Sequence, residues 1–171
     1  MNKTISIILF VVLAVAVVGA AMWYNNKSDQ AMQQAQTQAA IIAQQEQAQT
    51  LAKIMQNFKI TDTVVGTGAV VNNGDTVNVL YTGTLPDGTV FDASSKHGNQ
   101  PFSFTVGAQN VIQGWDLGVV GMKVGGTREL TIPPELGYGA GGYPPIIPGN
   151  TTLHFTIQLL SIATSSPTST Q

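Results

Sequence analysis

The sequence predicts an α+β domain, one twisted antiparallel β-sheet packed on a single short α-helix, preceded by a transmembrane helix and a helical stalk. Three observations predict it. Beyond Phe58 the apolar residues alternate with polar ones in short runs separated by turn residues, the period of half-buried strands. One stretch in their midst, Val111–Val120, spaces Ile112, Trp115 and Val119 as a helix does. Residues 5–56 instead form an apolar run followed by a Gln/Ala-rich run, with Gly19 the one glycine and no proline.

The N-terminal segment begins Met1-Asn2-Lys3, and Ile5 to Met22 then runs 18 residues without a charge. As a helix this covers roughly 27 Å, close to the ~30 Å hydrocarbon thickness of a bilayer. Trp23 and Tyr24 follow, where an interfacial aromatic belt belongs. Residues 1–27 therefore read as a single-pass transmembrane anchor. The competing reading is a secretory signal cleaved after Val18-Gly19-Ala20. Both carry the rest of the chain across the membrane and make the folded domain extracytoplasmic, or secreted in the second case. Lys3 and the terminal amine favour a cytoplasmic N-terminus, although Lys27 on the far side weakens the asymmetry.

Residues 28–57 are dominated by Gln and Ala, both good helix formers. Ile41, Ala48 and Met55 recur at seven-residue intervals, with Leu51 and Phe58 near the d positions of that frame and Gln44 interrupting it. Two readings stand: a solvated helical spacer, or a stalk that weakly self-associates. At the other end, residues 163–171 are rich in Ser and Thr and read as a disordered tail.

Between them lies the domain, residues 58–162. In Thr76–Tyr81, Val77, Val79 and Tyr81 share one face. Pro86-Asp87-Gly88 marks a turn, and Val90-Phe91 resumes the strand pattern after it. Phe102–Val106 and Arg128–Ile132 alternate again. The last strand is the clearest, with Leu153, Phe155, Ile157 and Leu159 facing one way and His154, Thr156 and Gln158 the other. The helix at 111–120 holds Gly114 and Gly118, each of which weakens it by about 1 kcal/mol, so packing must hold it in place.

Composition excludes much chemistry. The formal net charge of −2 leaves no basic footprint for nucleic acid. The absence of cysteine removes disulfides, thiolate nucleophiles, Cys-ligated zinc and an N-terminal lipid-bearing cysteine together. His97 falls in a loop and His154 on an outward strand face, and both are expected to be solvated rather than to act as ligands or bases. Gly137–Gly142 matches G-x-G-x-x-G, but Pro144-Pro145 forbids the helix that a dinucleotide fingerprint needs. Neither a metal nor a cofactor is expected.

What remains is aromatic. Tyr81, Phe91, Phe102, Phe104, Trp115, Tyr138, Tyr143 and Phe155 crowd into one small domain. A single ring among them is most simply core. Eight rings are hard to bury completely between one small sheet and one helix, and buried Tyr and Trp need partners for their polar tips. An apolar pocket with a few polar groups is the usual form of a small-ligand site, but composition alone stops at that point.

Three segments of this domain resemble a known family. Tyr81-Thr82-Gly83-Thr84-Leu85-Pro86-Asp87-Gly88-Thr89-Val90-Phe91-Asp92-Ala93-Ser94 is similar to the "YTG-x-L-x-DG-x-x-FD-x-S" run of FKBP-type (FK506-binding) peptidyl-prolyl cis-trans isomerases. Pro101–Phe104 with Val111–Asp116 resembles its "PF-x-F…VI-x-GW-[DE]" segment, and Gly137–Gly139, Ile146–Pro148 and Thr152–Phe155 resemble its "YG…IIP…L-x-F" end. The order and spacing hold from about residue 60 to 162. The resemblance implies an FKBP-like fold, a twisted antiparallel sheet wrapped on a short helix.

It also implies a prolyl pocket floored by Trp115 and walled by Tyr81, Phe91, Phe102, Val111, Ile112 and Phe155. Tyr138 would offer its hydroxyl to a substrate carbonyl, with the Ile112 N–H as a second donor. Asp92 would be the carboxylate at the rim, and Tyr143 and Ile146 would lie on a flap above. The implied activity is rotation about X–Pro bonds (rotamase activity), and with the N-terminal anchor or signal it is expected to assist folding of exported or surface proteins. The implied partners are proline-containing polypeptides, with FK506-like macrolides as inhibitors. The loop Ser95–Gln100 departs from the commonest family form by one extra residue, which leaves open what pairs with Asp92, and Tyr143 stands where many members have histidine. A non-catalytic module that holds proline-containing segments, and a surface interaction protein assembled through its stalk, are the alternatives; an isomerisation assay with and without FK506 separates catalysis from binding.

Overall fold

With no proline and one glycine between Lys3 and Asn57, nothing in the N-terminal sequence interrupts i→i−4 hydrogen bonding, and this whole segment forms one helix, α1 (Lys3–Asn57). The computed structural model describes the backbone of residues 3–163 and the side chains of 13–27 and 29–163. The expected span Ile5–Met22 therefore falls partly, and the expected tail almost wholly, outside the described residues. Among the described residues no helix is long and apolar enough to cross a membrane. The apolar run and the Gln/Ala stretch form one continuous helix rather than two. Lys27 places its ammonium 5.1 Å from the Trp23 ring centroid on the helix surface.

The chain divides into two units, residues 1–50 and 51–171. Every described side chain of the first is exposed. The second takes in the last two turns of α1. There Ile54 is half-buried and packs with Phe58 against the domain core, and the Phe58 N–H closes the helix on the Ile54 carbonyl at 3.0 Å.

The chain then turns to β-branched alternation and builds a six-stranded antiparallel sheet. Its strands are β1 (Lys59–Val64), β2 (Thr76–Thr84), β3 (Val90–Ala93), β4 (Phe102–Thr105), β5 (Thr127–Ile132) and β6 (Leu153–Ala163). The order is β1-β5-β6-β2-β3, with β4 also paired to β2. β6 sits centrally, and its alternation is as expected: Leu153, Phe155, Ile157 and Leu159 are buried and the residues between them exposed. Val77 and Val79 on β2 and Leu130 and Ile132 on β5 join that face. Each fully buried aliphatic side chain of this kind contributes about 1.5–3 kcal/mol. The expected turn links β2 to β3: Gly88 takes the left-handed conformation at φ 86°, and Asp87 Oδ1 accepts the Thr89 N–H at 2.9 Å.

One short helix, α2 (Gln113–Gly118), covers the apolar face. It is shorter than the 111–120 span expected. Its glycines cost helix propensity but let it lie close to the sheet. A Cβ on Gly114 would come within 2.5 Å of Ile132 Cγ2, and one on Gly118 within 2.5 Å of Leu130 Cδ1. Close contact with β5 replaces intrinsic propensity as the force that holds the helix. No helix follows Gly137–Gly142, as the proline pair requires.

Candidate functional site

The aromatic surplus gathers at one end of the core. Trp115, on α2, is 5% exposed and forms the floor. Tyr81 from β2 and Phe155 from β6 meet it edge to face, each with its ring centroid 5.2 Å away. Phe102 from β4 stands at 6.0 Å, and Phe91 from β3 stands edge-on to Phe155 at 5.5 Å. Gly83 makes room for this last pair: a Cβ there would lie 2.6 Å from Phe91 and 2.7 Å from Phe155. Phe104, by contrast, is buried beneath the site and belongs to the core.

These rings enclose a cavity of about 230 Å³ lined by Tyr81, Phe91, Asp92, Phe102, Asn110, Val111, Ile112, Trp115, Tyr138 and Phe155. Tyr143 and Ile146, which the resemblance places on a flap above the pocket, do not line the cavity. Both are exposed in the segment that leads into β6, where the Tyr143 N–H bonds the Ile147 carbonyl at 2.8 Å. Tyr143 reaches the site at second hand, through its ring 5.9 Å from that of Tyr138. Asn110 lines the cavity without having been expected there, since a lone Asn in a loop carries no pattern that a sequence can reveal.

Polar groups converge on an otherwise apolar hollow. The Tyr81 hydroxyl donates to Asp92 Oδ2 at 2.6 Å. Asp92 Oδ1 accepts the Ala93 N–H at 2.8 Å and hydrogen-bonds His97 Nε2 at 2.8 Å. His97 was expected to be solvated, and although its side chain is 60% exposed it is the loop residue that pairs with Asp92. A turn of 3₁₀ helix, Ser94–His97, brings the ring back over the strand, which sequence spacing alone does not show. Lys96, the other base of that loop, instead donates to the Val90 and Phe91 carbonyls at 2.8 and 3.1 Å.

The titration behaviour follows from these contacts. Burial would raise the Asp92 carboxyl, but the hydrogen bonds from Tyr81, His97 and the Ala93 N–H outweigh it and hold the group below the usual carboxylate range. Burial and the adjacent Asp92 carboxylate push the Tyr81 hydroxyl far above the usual phenol range, so it stays a proton donor. Tyr138 is also raised, first by burial and then by the charge of Asp92. Its hydroxyl makes no hydrogen bond to a described residue, and the Ile112 N–H donates to no described carbonyl. The Trp115 Nε1 is buried without a hydrogen-bond partner among the described residues.

Two further carboxylate contacts shape the wall. Asp116, 9% exposed on α2, accepts the Gly107 N–H at 2.8 Å and the Gln109 N–H at 3.2 Å. It thereby fixes the loop that delivers Asn110, Val111 and Ile112. Among the described residues no three His, Cys, Asp or Glu side chains are grouped so as to hold a metal ion. The arrangement offers an apolar slot with two donors at its edge, the Tyr138 hydroxyl and the Ile112 N–H, that engage no described residue.

Known proteins share this chain's sequence and fold. The family model described as "FKBP-type peptidyl-prolyl cis-trans isomerase" matches residues 68–160. FK506-binding protein 4 of Gibberella zeae is 50% identical over 113 residues, which cover 66% of this chain and 22% of that protein. FK506-binding protein 2 of Yarrowia lipolytica is 56% identical over 89 residues, 52% of this chain and 61% of that protein. The chain thus spans less than two thirds of the length of these curated relatives. Among solved structures, that of AtFKBP13 superposes with a TM-score of 0.58 at 38% identity, covering 62% of this chain and 93% of that one. A peptidyl-prolyl cis-trans isomerase from Pseudomonas syringae gives a TM-score of 0.56 at 34% identity, covering 63% and 76%. Through its domain this chain belongs to the FKBP-type peptidyl-prolyl cis-trans isomerase family.

Proposed function

We propose that the domain at residues 58–162 is a working isomerase that rotates X–Pro bonds in polypeptides and is blocked by FK506-like macrolides. The observation that carries this reading is the Trp115-floored aromatic cavity with the Tyr138 hydroxyl and Ile112 N–H unengaged at its edge. The cis and trans forms of an X–Pro bond differ by only ~0.5–1 kcal/mol but are separated by ~18–20 kcal/mol, because rotation breaks amide resonance. A planar amide carries more charge separation than a twisted one, so a dry aromatic slot disfavours the ground state relative to the transition geometry. Trp115 lies under the proline ring, with Tyr81, Phe91, Phe102, Val111, Ile112 and Phe155 around it. Tyr138 and the Ile112 N–H donate to substrate carbonyls, and these bonds accelerate rotation to the extent that they strengthen as the amide twists. Asp92, engaged by Tyr81 and His97, orders the rim, and Tyr143 and Ile146 contact the polypeptide flanking the proline. A protease-free assay of cis–trans exchange in a Leu-Pro-Phe peptide tests this. Acceleration that FK506 abolishes supports it; macrolide binding without acceleration would instead favour a module that only holds proline-containing segments.

For the N-terminal part we propose a single-pass anchor over residues 1–27, a helical stalk over 28–57 and an extracytoplasmic catalytic domain that meets exported proteins as they fold. The support is sequence: the uncharged run Ile5–Met22, the Trp23-Tyr24 pair after it, and the absence of a cysteine that could carry a lipid. The stalk's exposed Ile41, Leu51 and Met55 support weak self-association. Full-length chain in membranes, resistant to alkaline carbonate and with a domain digestible from outside intact cells, is the expected result. A soluble mature protein starting near Ala21 would show signal cleavage instead, and a protease-protected domain would overturn the topology.

A further inference from the structure

Arg128 lies on β5 with its side chain 8% exposed, and its guanidinium is engaged on two sides. Towards the sheet edge, Nε and Nη2 grip Asp62 of β1, 2.7 Å to Oδ1 and 2.9 Å to Oδ2. Towards the helix, Nη1 donates to the Gly118 and Val120 carbonyls at 2.8 and 2.9 Å. A helix as short as α2 leaves its last carbonyls without intrahelical partners, and here the guanidinium supplies them. Asp62 answers in kind: the Arg128 hydrogen bond holds its carboxyl below the usual range.

This contact joins β1 to the end of α2. β1 is an edge strand whose six residues are all exposed, and among the described residues it pairs with β5 alone, Asp62 opposite Arg128. It is also the strand that directly follows α1. The helix α2 carries Trp115 and is entered through Ile112, the floor and a donor of the cavity. Its own propensity is poor, because Gly114 and Gly118 are a third of its six residues.

We propose that Arg128 is a positioning residue for the prolyl cavity and that Asp62 sets it. With β1 seated, the bidentate pair fixes the guanidinium, which in turn fixes the last turn of α2 and so the depth and tilt of Trp115. With β1 displaced, the guanidinium loses its counter-charge and its orientation, and the floor loosens. The segment joining α1 to the domain is thereby coupled to the site. The coupling to catalysis rests on the isomerase reading; the mechanical link between β1 and α2 does not.

The test is amide hydrogen exchange and isomerisation kinetics on the full chain carrying Asp62→Ala, with Arg128→Lys as a second variant that keeps the charge but loses the fork. The Val119 and Met122 amides, which donate to Trp115 and Val119 carbonyls, should exchange about tenfold faster or more, the scale of one charge-assisted hydrogen bond. Amides in the β2–β6 ladder should keep their rates. In the same variants kcat/KM should fall by about tenfold, mainly through kcat. Equal acceleration across α2 and the β2–β6 ladder would mean a merely structural ion pair and overturn the inference. So would unchanged exchange at Val119 and Met122, or faster exchange there with kcat/KM intact. A parent chain without isomerase activity would refute the proposed function, while the exchange pattern would still decide the link between β1 and α2.

Discussion

Tyr81 commits its hydroxyl to Asp92, 2.6 Å away, while the hydroxyl of Tyr138, on the same cavity, bonds no described residue. Two tyrosines of like chemistry thus take different parts. Tyr81 is tied into the wall through the carboxylate that His97 also holds, and Tyr138 has no such tie among the described residues.

Removing the Tyr138 hydroxyl should therefore touch catalysis with little effect on binding. Tyr138→Phe is expected to lower kcat about threefold to tenfold with KM nearly unchanged, the signature of a bond that strengthens in the twisted geometry. Initial rates across a range of peptide concentrations check it. An unchanged kcat would leave the Ile112 N–H as the effective donor.

Asp92 should matter less to rate than a catalytic carboxylate would. Asp92→Leu is expected to reduce kcat/KM by no more than about 100-fold, the scale of lost polar contacts. Its contribution to stability depends on pH in a fixed sense. Because its carboxyl is held below the ordinary value, it stabilises the fold above the unfolded carboxylate range and loses that effect as pH falls through its lowered folded value. Urea denaturation of the parent and Asp92→Asn should show a gap at pH 7 that closes in acid. Water screens a group whose side chain is 39% exposed, so the gap should be no more than about 1 kcal/mol. A gap that widens in acid would contradict the assignment.

Phe155 is both wall and core, 6% exposed and edge-on to Trp115. Phe155→Ala is expected to cost about 3–5 kcal/mol of stability, enough to threaten a small domain. Phe155→Leu keeps most of the volume and separates the two roles. In a Trp23→Phe background, where Trp115 is the remaining indole, titration with FK506 should show weakened binding by a folded Phe155→Leu chain. Unchanged affinity would make Phe155 a core residue only.

Gly118 offers a test of the packing argument. Alanine would raise helix propensity by about 1 kcal/mol, but its Cβ would stand 2.5 Å from Leu130 Cδ1. Overpacking of this kind costs about 1–3 kcal/mol, so Gly118→Ala should destabilise on balance. Thermal denaturation decides it; a higher melting temperature would show that α2 has room to lift.

The sequence by itself determined the elements whose signal is periodic and local. Alternation in β6 and β2, the Pro86–Gly88 turn and the Ile112–Trp115–Val119 spacing each follow from one strand or helix hiding one face, so the neighbours in space need not be known. Composition led as far as an aromatic surplus in a small domain, and the family resemblance supplied names for the pocket residues. What only the tertiary structure decided are pairings between residues that no local period connects. His97 reaches Asp92 because a 3₁₀ turn folds the loop back, and Asn110 reaches the cavity because Asp116 holds its loop. Tyr143 and Ile146 stand off the wall because the segment carrying them closes on itself through Tyr143 and Ile147. Asp62 and Arg128, 66 residues apart, meet only once β1 has found the sheet edge. Periodicity records which face is buried, whereas hydrogen-bond partners are chosen by what the finished fold leaves within reach.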